Sequence, residues 1–360
     1  MKILYLITKS EAGGAQTHVA DLCRYFKNCG NEVTVMSAGD GWLKNECDKL
    51  GVVFIANKYF SNSPNPFRIF YAIREIKRCV KNFQPDIVHC HSSAAAFLGR
   101  LAVRGKVRTI YTAHGWGFNI GMNPFVRVGV LIAEKLAAKY TDTYICVAEF
   151  VKKLGLKYNL APAKKFKVIY NGVSVRQTAS NISSVELKLI FVGRLAEPKR
   201  PELIIEAISR LPSEIKCRII FTIVGDGPKR KSLEDLSKEK KVTVHFTGAL
   251  PKESALGELS RGDIFVFISA WEGFPYTILE AMSYGLPVIA SNVGGVSEAI
   301  DSTCGILVNN DVGQIREAIL KLCHDKGRRL RMGDNARKIV EQKFSLEKML
   351  KEIEHIYKNI

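Results

Sequence analysis

Two patterns alternate along almost the whole chain: short, near-continuous apolar runs, and longer stretches whose apolar positions recur every three or four residues. The first predicts strands buried on both faces, and the second predicts helices with one apolar side. In the first half the predicted strands are 3–8, 32–37, 52–55, 86–91, 108–112, 142–147 and 167–169. Helical patterns lie between most of them, for example 15–26, 66–82 and 124–140. The alternation breaks at Asn171-Gly172-Val173, where polar residues take over until about Val185, as expected of a linker. It resumes with strands 187–192, 218–224, 242–247, 264–269, 287–291 and 305–308, and ends in helical sequence at 312–324, 327–343 and 345–357. Strands separated by helices predict parallel sheets covered on both faces. The expected architecture is therefore α/β: two parallel-sheet domains with a cleft between them. Their expected limits are 1–172 and 187–342, joined by a linker at 173–186, with a C-terminal helix at 343–360. Such folds bind ligands at the carboxyl ends of their strands.

A chain of 360 residues has room for two cores. The opening run Met1 to Ile7 is too short for a targeting segment and lacks a small-residue cleavage site. No apolar run reaches the ~18 residues that span a bilayer. The nine cysteines are scattered, without a CxxC pair, which fits reduced thiols in a cytoplasmic protein. Charge changes the picture more. The net charge is +18, and it is uneven: residues 1–172 hold 25 Lys/Arg and 11 Asp/Glu, whereas 173–360 hold 28 and 24. A basic first half points to an anionic partner, either nucleic acid or an anionic membrane face. No zinc-finger spacing, aromatic strand signature or basic zipper is present, so nucleic acid is not expected. A basic surface with no single partner is the other reading.

The candidate chemistry clusters at predicted strand ends. The segment Trp271 to Met282 carries Glu272 in a loop and Glu280 about two turns into the following helix. A helix start offers free N–H groups and a positive dipole end, hence an anion site. One carboxylate could hydrogen-bond a polyol ahead of the anion and the other a polyol behind it, the order of groups in a sugar–diphosphate–ribose ligand. Arg194 and Lys199 follow another strand; Arg can clamp phosphate oxygens and Lys acts as a point charge. Gly13 and Gly14 follow the first strand and would let backbone N–H groups approach a ligand, though not as GxGxxG, which argues against a nicotinamide site. His114 ends a first-half strand and could donate to a sugar hydroxyl or a leaving phosphate, or could be a satisfied structural histidine. His89 and His91 share one strand face but lack further ligands, so they are expected as core or cleft lining, with no metal. Tight turns at Gly225-Asp226-Gly227-Pro228 and at Gly248-Ala249-Leu250 could present main-chain groups to a nucleobase or could serve as turns alone.

Taken together, Gly13-Gly14, His114-Gly115, Asn171-Gly172-Val173, Gly193-Arg194 with Lys199, Gly225-Asp226-Gly227-Pro228, and Glu272 with Glu280 resemble the retaining glycosyltransferases of family 4. That family includes bacterial enzymes that build O-antigen, capsule and other polysaccharides, and its GT-B fold implies two Rossmann-like, doubly wound domains with a cleft between them and a C-terminal helix, here 343–360, returning to the first. The resemblance runs over essentially the whole chain, and its E-x7-E element is met by Glu272 and Glu280. It implies that Arg194 and Lys199 neutralise a nucleoside diphosphate. It assigns the donor to main-chain groups at Phe274, Pro275, Tyr276 and Thr277, the ribose to Glu280, and the donor sugar to Glu272. His114 would lie by the reacting centre, Gly13 and Gly14 where donor phosphate and acceptor meet, and Gly248, Ala249 and Leu250 beside the base. Two departures stand out: Arg200-Pro201 follows Lys199 where the family has Gly, and Pro275-Tyr276 replaces small residues. Pro is tolerated in a first helical turn because its missing N–H has no partner there.

The implied reaction moves a hexosyl or N-acetylhexosaminyl group from a nucleoside-diphosphate sugar with retained configuration. It needs no metal and no cofactor, the nucleotide sugar being a substrate. Uridine and guanosine donors both fit, with family usage favouring uridine. The basic first half, together with Trp116, Phe118, Ile120, Met122, Phe125 and Val126, suits shallow attachment to an anionic membrane, unless these residues pack inside the domain. The expected acceptor is a lipid-linked saccharide on polyprenyl diphosphate, and the expected location is peripheral, at the inner face of the cytoplasmic membrane. The alternatives are a sugar-nucleotide epimerase of the same fold or a non-enzymatic sugar-nucleotide-binding protein.

Overall fold

Thirteen strands pair in parallel into two sheets in the computed structural model, which describes residues 1–61, 65–118, 124–176 and 186–359. The chain divides into two compact units, Met1–Tyr170 with Met349–Ile360, and Asn171–Lys348. Residues 177–185, most of the expected linker, lie outside the described residues.

The first unit contains β1 (Lys2–Lys9), α1 (Gly14–Asn28), β2 (Glu32–Ala38), α2 (Trp42–Leu50), β3 (Val53–Ala56), α3 (Pro66–Phe83), β4 (Ile87–His91), α4 (Ser93–Val103), β5 (Arg108–Ala113), α5 (Pro124–Ala138), β6 (Thr143–Cys146), α6 (Glu149–Lys157) and β7 (Phe166–Val168). Its sheet order is β3-β2-β1-β4-β5-β6-β7. The order reverses beside β1, so β1 and β4 diverge in their connections and leave a crevice at their carboxyl ends. Ile3 to Ile7 of β1 are all fully buried, as a central strand covered on both faces requires. The second unit contains β8 (Leu187–Val192), α7 (Pro201–Ser209), α8 (Ser213–Lys216), β9 (Ile219–Val224), α9 (Arg230–Glu239), β10 (Val244–Gly248), α10 (Lys252–Leu259), β11 (Ile264–Phe267), α11 (Tyr276–Ser283), β12 (Val288–Ser291), α12 (Val296–Ala299), β13 (Gly305–Val308), α13 (Val312–His324) and α14 (Lys326–Lys343). Its order is β10-β9-β8-β11-β12-β13, with the same reversal at β8.

The last helix, α15, spans Leu346–Asn359. Within the first unit its Tyr357 is fully buried, stacks on Phe26 and meets His89 Nδ1 at 2.5 Å. At the start of the second unit, Asn171 is buried and donates from Nδ2 to the Phe274 carbonyl at 2.7 Å. Val173 pairs with Ser345, and a Cβ on Gly172 would lie 2.4 Å from the Ser345 carbonyl oxygen. The Asn-Gly-Val stretch is thus packed backbone. No helix among the described residues is long and apolar enough to cross a membrane.

Candidate active site

Each unit carries one cluster. In the second, β8 delivers the chain into a loop in which Lys199 donates its backbone N–H to the Ala196 carbonyl at 3.0 Å. That loop then pairs with the outgoing end of β11: Arg200 N–H meets the Ile268 carbonyl, and Ala270 N–H meets the Pro198 carbonyl, both at 2.9 Å. These two bonds set Lys199 beside the Glu272 loop. The Lys199 ammonium forms an ion pair and hydrogen bond with Glu272 Oε1 and lies 4.0 Å from the centre of the Phe267 ring. Burial pulls its pKa below the ordinary lysine value, and the Glu272 charge opposes that shift. Ser269 donates from Oγ to the same Glu272 oxygen at 2.6 Å. Behind it, the Ser269 amide bonds Ser291 Oγ, and Asn310 Nδ2 donates to the Ser269 carbonyl. Ser269, Ser291 and Asn310 were not among the expected site residues. Their signal, single polar residues at the ends of apolar strands, is too common to single out.

Gly294 was also missed. Its φ is +56°, and a Cβ there would stand 1.8 Å from the Glu272 carbonyl oxygen. The next residue, Gly295, donates its N–H to the Gly273 carbonyl at 3.0 Å. Only glycine lets this backbone approach so closely, and the approach supports the Glu272 loop from below.

Helix α11 begins at Tyr276, with Pro275 as its extended N-cap. Pro275 therefore precedes the helix instead of occupying its first turn, and the amides of Tyr276 and Thr277 belong to the first turn. Glu280 lies one turn in, not two, because α11 starts at Tyr276 and has only eight residues. Its carboxylate is 3.9 Å from Lys252 Nζ of α10. Phe274 is buried, with its ring 5.3 Å from Phe344. Arg194 is exposed and has no ion pair among the described residues. Gly225 and Gly227 press their backbones against the Arg194 loop: added Cβ atoms would fall 2.1 Å from the Gly193 oxygen and 2.5 Å from the Leu195 oxygen. Gly248 has φ +76°, and its carbonyl accepts from Gly225 N–H at 2.9 Å. Ala249 is exposed and Leu250 half-buried beside it.

In the first unit, Gly13 is the N-cap of α1 with φ 178°, an extended backbone open to any residue. Gly13 and Gly14 are both exposed. What α1 brings is His18, whose ring centre lies 4.9 Å from that of His114. His114 Nε2 is 3.3 Å from Nδ1 of His91. His89, His91 and His114 are all held well below the ordinary histidine pKa, first by burial and then by each other's charge or that of His18. His89 is satisfied by Tyr357 and by Thr112 Oγ1 at 2.7 Å. Both strand histidines are fully buried, which makes them core residues. Among the described residues no group of three or more His, Cys, Asp or Glu is arranged to hold a metal ion.

The aromatic expectation needs correction. Trp116 and Phe118 are fully buried and stacked on each other, and Trp116 Nε1 donates to the Val151 carbonyl at 2.7 Å. They are core residues because the domain interior satisfies both ring and N–H. Ile120 and Met122 lie outside the described residues. Phe125 and Val126 are exposed, the former 87 %.

Comparison with known proteins identifies the family. The description "Glycosyltransferase Family 4" matches residues 12–177, and "Glycosyl transferases group 1" matches 176–339. The chain is 29% identical over 325 residues to the O-antigen biosynthesis glycosyltransferase WbnH of Escherichia coli, covering 89% of this chain and 90% of that one. It is 30% identical over 303 residues to an Escherichia coli UDP-Gal:alpha-D-GlcNAc-diphosphoundecaprenol alpha-1,3-galactosyltransferase, covering 78% and 77%. The fold matches Anabaena HepE, solved with UDP and glucose, with a TM-score of 0.86 at 19% identity over 100% of both chains. With two parallel-sheet α/β units and this match along its length, the chain belongs to the family 4 glycosyltransferases of GT-B fold and is a sugar transferase.

Proposed function

We propose that this protein transfers a hexosyl group, with retained anomeric configuration, from a UDP-sugar to a saccharide carried on polyprenyl diphosphate. The observation that carries this reading is the half-buried Lys199–Glu272 pair at the carboxyl ends of the second sheet, beside the start of α11. In the proposed complex Lys199 and Arg194 hold the diphosphate, the first amides of α11 cap it, Glu280 takes the ribose hydroxyls and Glu272 a sugar hydroxyl. Gly248, Ala249 and Leu250 line the base, and Gly13, Gly14 and His114 attend the donor sugar and the acceptor.

In the reaction, the bond from the anomeric carbon to the diphosphate oxygen breaks, and a bond to the acceptor oxygen forms on the same face. The acceptor proton passes to the departing phosphate oxygen. Fixed cations and helix-end amides stabilise the charge that develops there, commonly the largest single contribution. They occupy the role a divalent ion would otherwise fill, so turnover is proposed to be metal-independent. The relative that uses UDP-galactose and a diphosphoundecaprenol-linked acceptor supports the donor and acceptor classes.

A lipid-linked acceptor places the enzyme at a membrane surface, proposed to be the anionic inner face of the cytoplasmic membrane. Helix α5 supports this. Its single acidic side chain, Glu134, is buried against Arg100 of α4, with Oε2 2.8 Å from Nη2. Its outer side shows Phe125, Val128, Ile132 and Leu136, spaced as one stripe, with Lys135 and Lys139 beside them. Helix α3, which also packs on α4, exposes Phe67 and Phe70 with Arg68, Arg74, Lys77, Arg78 and Lys81. Apolar and cationic side chains without exposed acids suit an anionic bilayer surface.

The test is a panel of UDP- and GDP-sugars scored by thermal stabilisation, followed by transfer to a synthetic polyprenyl-diphosphate saccharide with and without EDTA. Stabilisation by one UDP-sugar and an EDTA-insensitive product of the donor's anomeric configuration are expected. An inverted product, or transfer only to a soluble acceptor, overturns the corresponding part.

A further inference from the structure

The register of β4 and β5 sets His91 opposite Thr112, so the end of β5 carries His114 to the His91 ring. His91 is fully buried in a cage of rings: Tyr5 from β1 at 5.8 Å, His18 from α1 at 5.4 Å, His89 from its own strand at 4.2 Å and His114 at 5.6 Å, centre to centre. Among the described residues those are the titratable groups that face it; Tyr357 of α15 lies behind His89. One nitrogen, Nδ1, meets His114 Nε2 at 3.3 Å, while the other, Nε2, is buried with no hydrogen-bond partner among the described residues.

Burial keeps both rings neutral, so each carries one proton and offers one donor and one acceptor. Two arrangements follow. If His114 donates, an N–H of His91 is buried without an acceptor. If His91 donates, only a lone pair is left without a donor. Orphaned buried N–H groups are the rarer case in folded proteins. We propose that His91 is a positioning residue that donates its Nδ1–H to His114 Nε2 and so fixes His114 in the tautomer protonated on Nδ1. His114 then presents a donor, not a lone pair, on its remaining nitrogen. A donor is what a sugar hydroxyl oxygen or a departing phosphate oxygen requires. The consequence for catalysis rests on the reading that His114 serves glycosyl transfer; the tautomer itself does not.

The experiment labels the full-length protein with 15N-histidine and records two-bond 1H–15N correlations near neutral pH. His114 is assigned by the signals lost in His114→Asn. The expected wild-type pattern is protonation on Nδ1. His91→Phe fills the same cage without a donor and should shift His114 to a mixture or to Nε2 protonation. His91→Asn retains an amide N–H near the place of Nδ1 and should restore the wild-type pattern. Transfer should follow: kcat down about tenfold in His91→Phe with donor KM within about twofold, and recovery in His91→Asn. Wild-type protonation on Nε2, or a His114 tautomer indifferent to His91→Phe, overturns the proposal. So does an unchanged kcat in that variant of an active enzyme. A protein with the expected tautomer and no transfer to any acceptor would fail the functional reading alone.

Discussion

Lys199 and Glu272 stand 73 residues apart in sequence and form a hydrogen-bonded ion pair in the second unit, each side chain less than one-fifth exposed. Neither has that partner by local geometry. Two backbone bonds between the loop after β8 and the end of β11 create the contact, and Ser269 completes it. These contacts hold the ammonium at a strand end and orient the carboxylate.

The two partners should separate kinetically. Lys199→Met removes the cation proposed for the diphosphate and leaves Glu272 without its counter-charge. UDP affinity should fall at least about tenfold and kcat/KM about 10²–10³-fold. Glu272→Gln can keep the Ser269 contact, so UDP affinity should stay within about threefold while transfer drops about 100-fold. Because the Glu272 charge counteracts burial at Lys199, Glu272→Gln should also make nucleotide binding weaken at lower alkaline pH than in the wild type. Calorimetric titration of UDP across pH checks both statements; equal loss of UDP binding in the two variants would contradict the assignment.

Gly294 should tolerate no side chain. Its left-handed backbone alone makes Gly294→Ala unfavourable by about 1–2 kcal/mol, and the Cβ collides with the Glu272 carbonyl. A lowered melting temperature together with weakened UDP binding is expected. Gly257, around which an added Cβ meets nothing within 4 Å, is the control: Gly257→Ala should leave both nearly unchanged.

Acid should loosen the first unit through its histidines. His89, His91 and His114 are held below the ordinary value of 6.5 in the folded protein. Above that value folded and unfolded rings are both neutral, and the stability is fully present. Below it the unfolded chain binds protons that the folded one refuses, and each such group removes up to about 1.4 kcal/mol per pH unit. Urea unfolding at pH 7.5 and at pH 5, read by a probe in the first unit, should show the loss. His91→Phe should shrink the difference between the two conditions, and an unchanged difference would count against the histidine origin.

The exposed stripe on α5 gives a membrane test that does not touch the proposed catalytic residues. Wild-type protein should float with phosphatidylglycerol vesicles at low salt and less so at high salt. Phe125→Asp with Ile132→Asp should abolish flotation, while melting temperature and UDP binding stay near wild type. Flotation that survives this pair would place the contact elsewhere.

Element order and fold class were legible in the sequence because a strand covered on both faces must be apolar along its buried run, as residues 3–7 of β1, 189–191 of β8 and 264–267 of β11 are. Boundaries shifted where the pattern does not report hydrogen bonding: the run predicted at 242–247 became Val244–Gly248, with Val242 outside the strand. Trp116 and Phe118 misled because aromatic content near basic sequence says nothing about which side of a segment faces inward. Phe125, a few residues on, has the same character and the opposite fate. Ser269, Ser291, Asn310 and Gly294 could not be found from spacing, since their importance comes from neighbours on other strands.

By itself, then, the sequence determined the alternation of strands and helices, the α/β class, the basic first half and the residue types able to hold a sugar nucleotide. All of these follow from local periodicity and composition. Only the tertiary structure decided which of those residues meet: Lys199 with Glu272, His91 with His114, and Glu134 with Arg100 so that α5 turns its apolar stripe outward. Such pairings depend on sheet register and on how loops from separate strands close against each other, and the pattern within any single segment does not encode that.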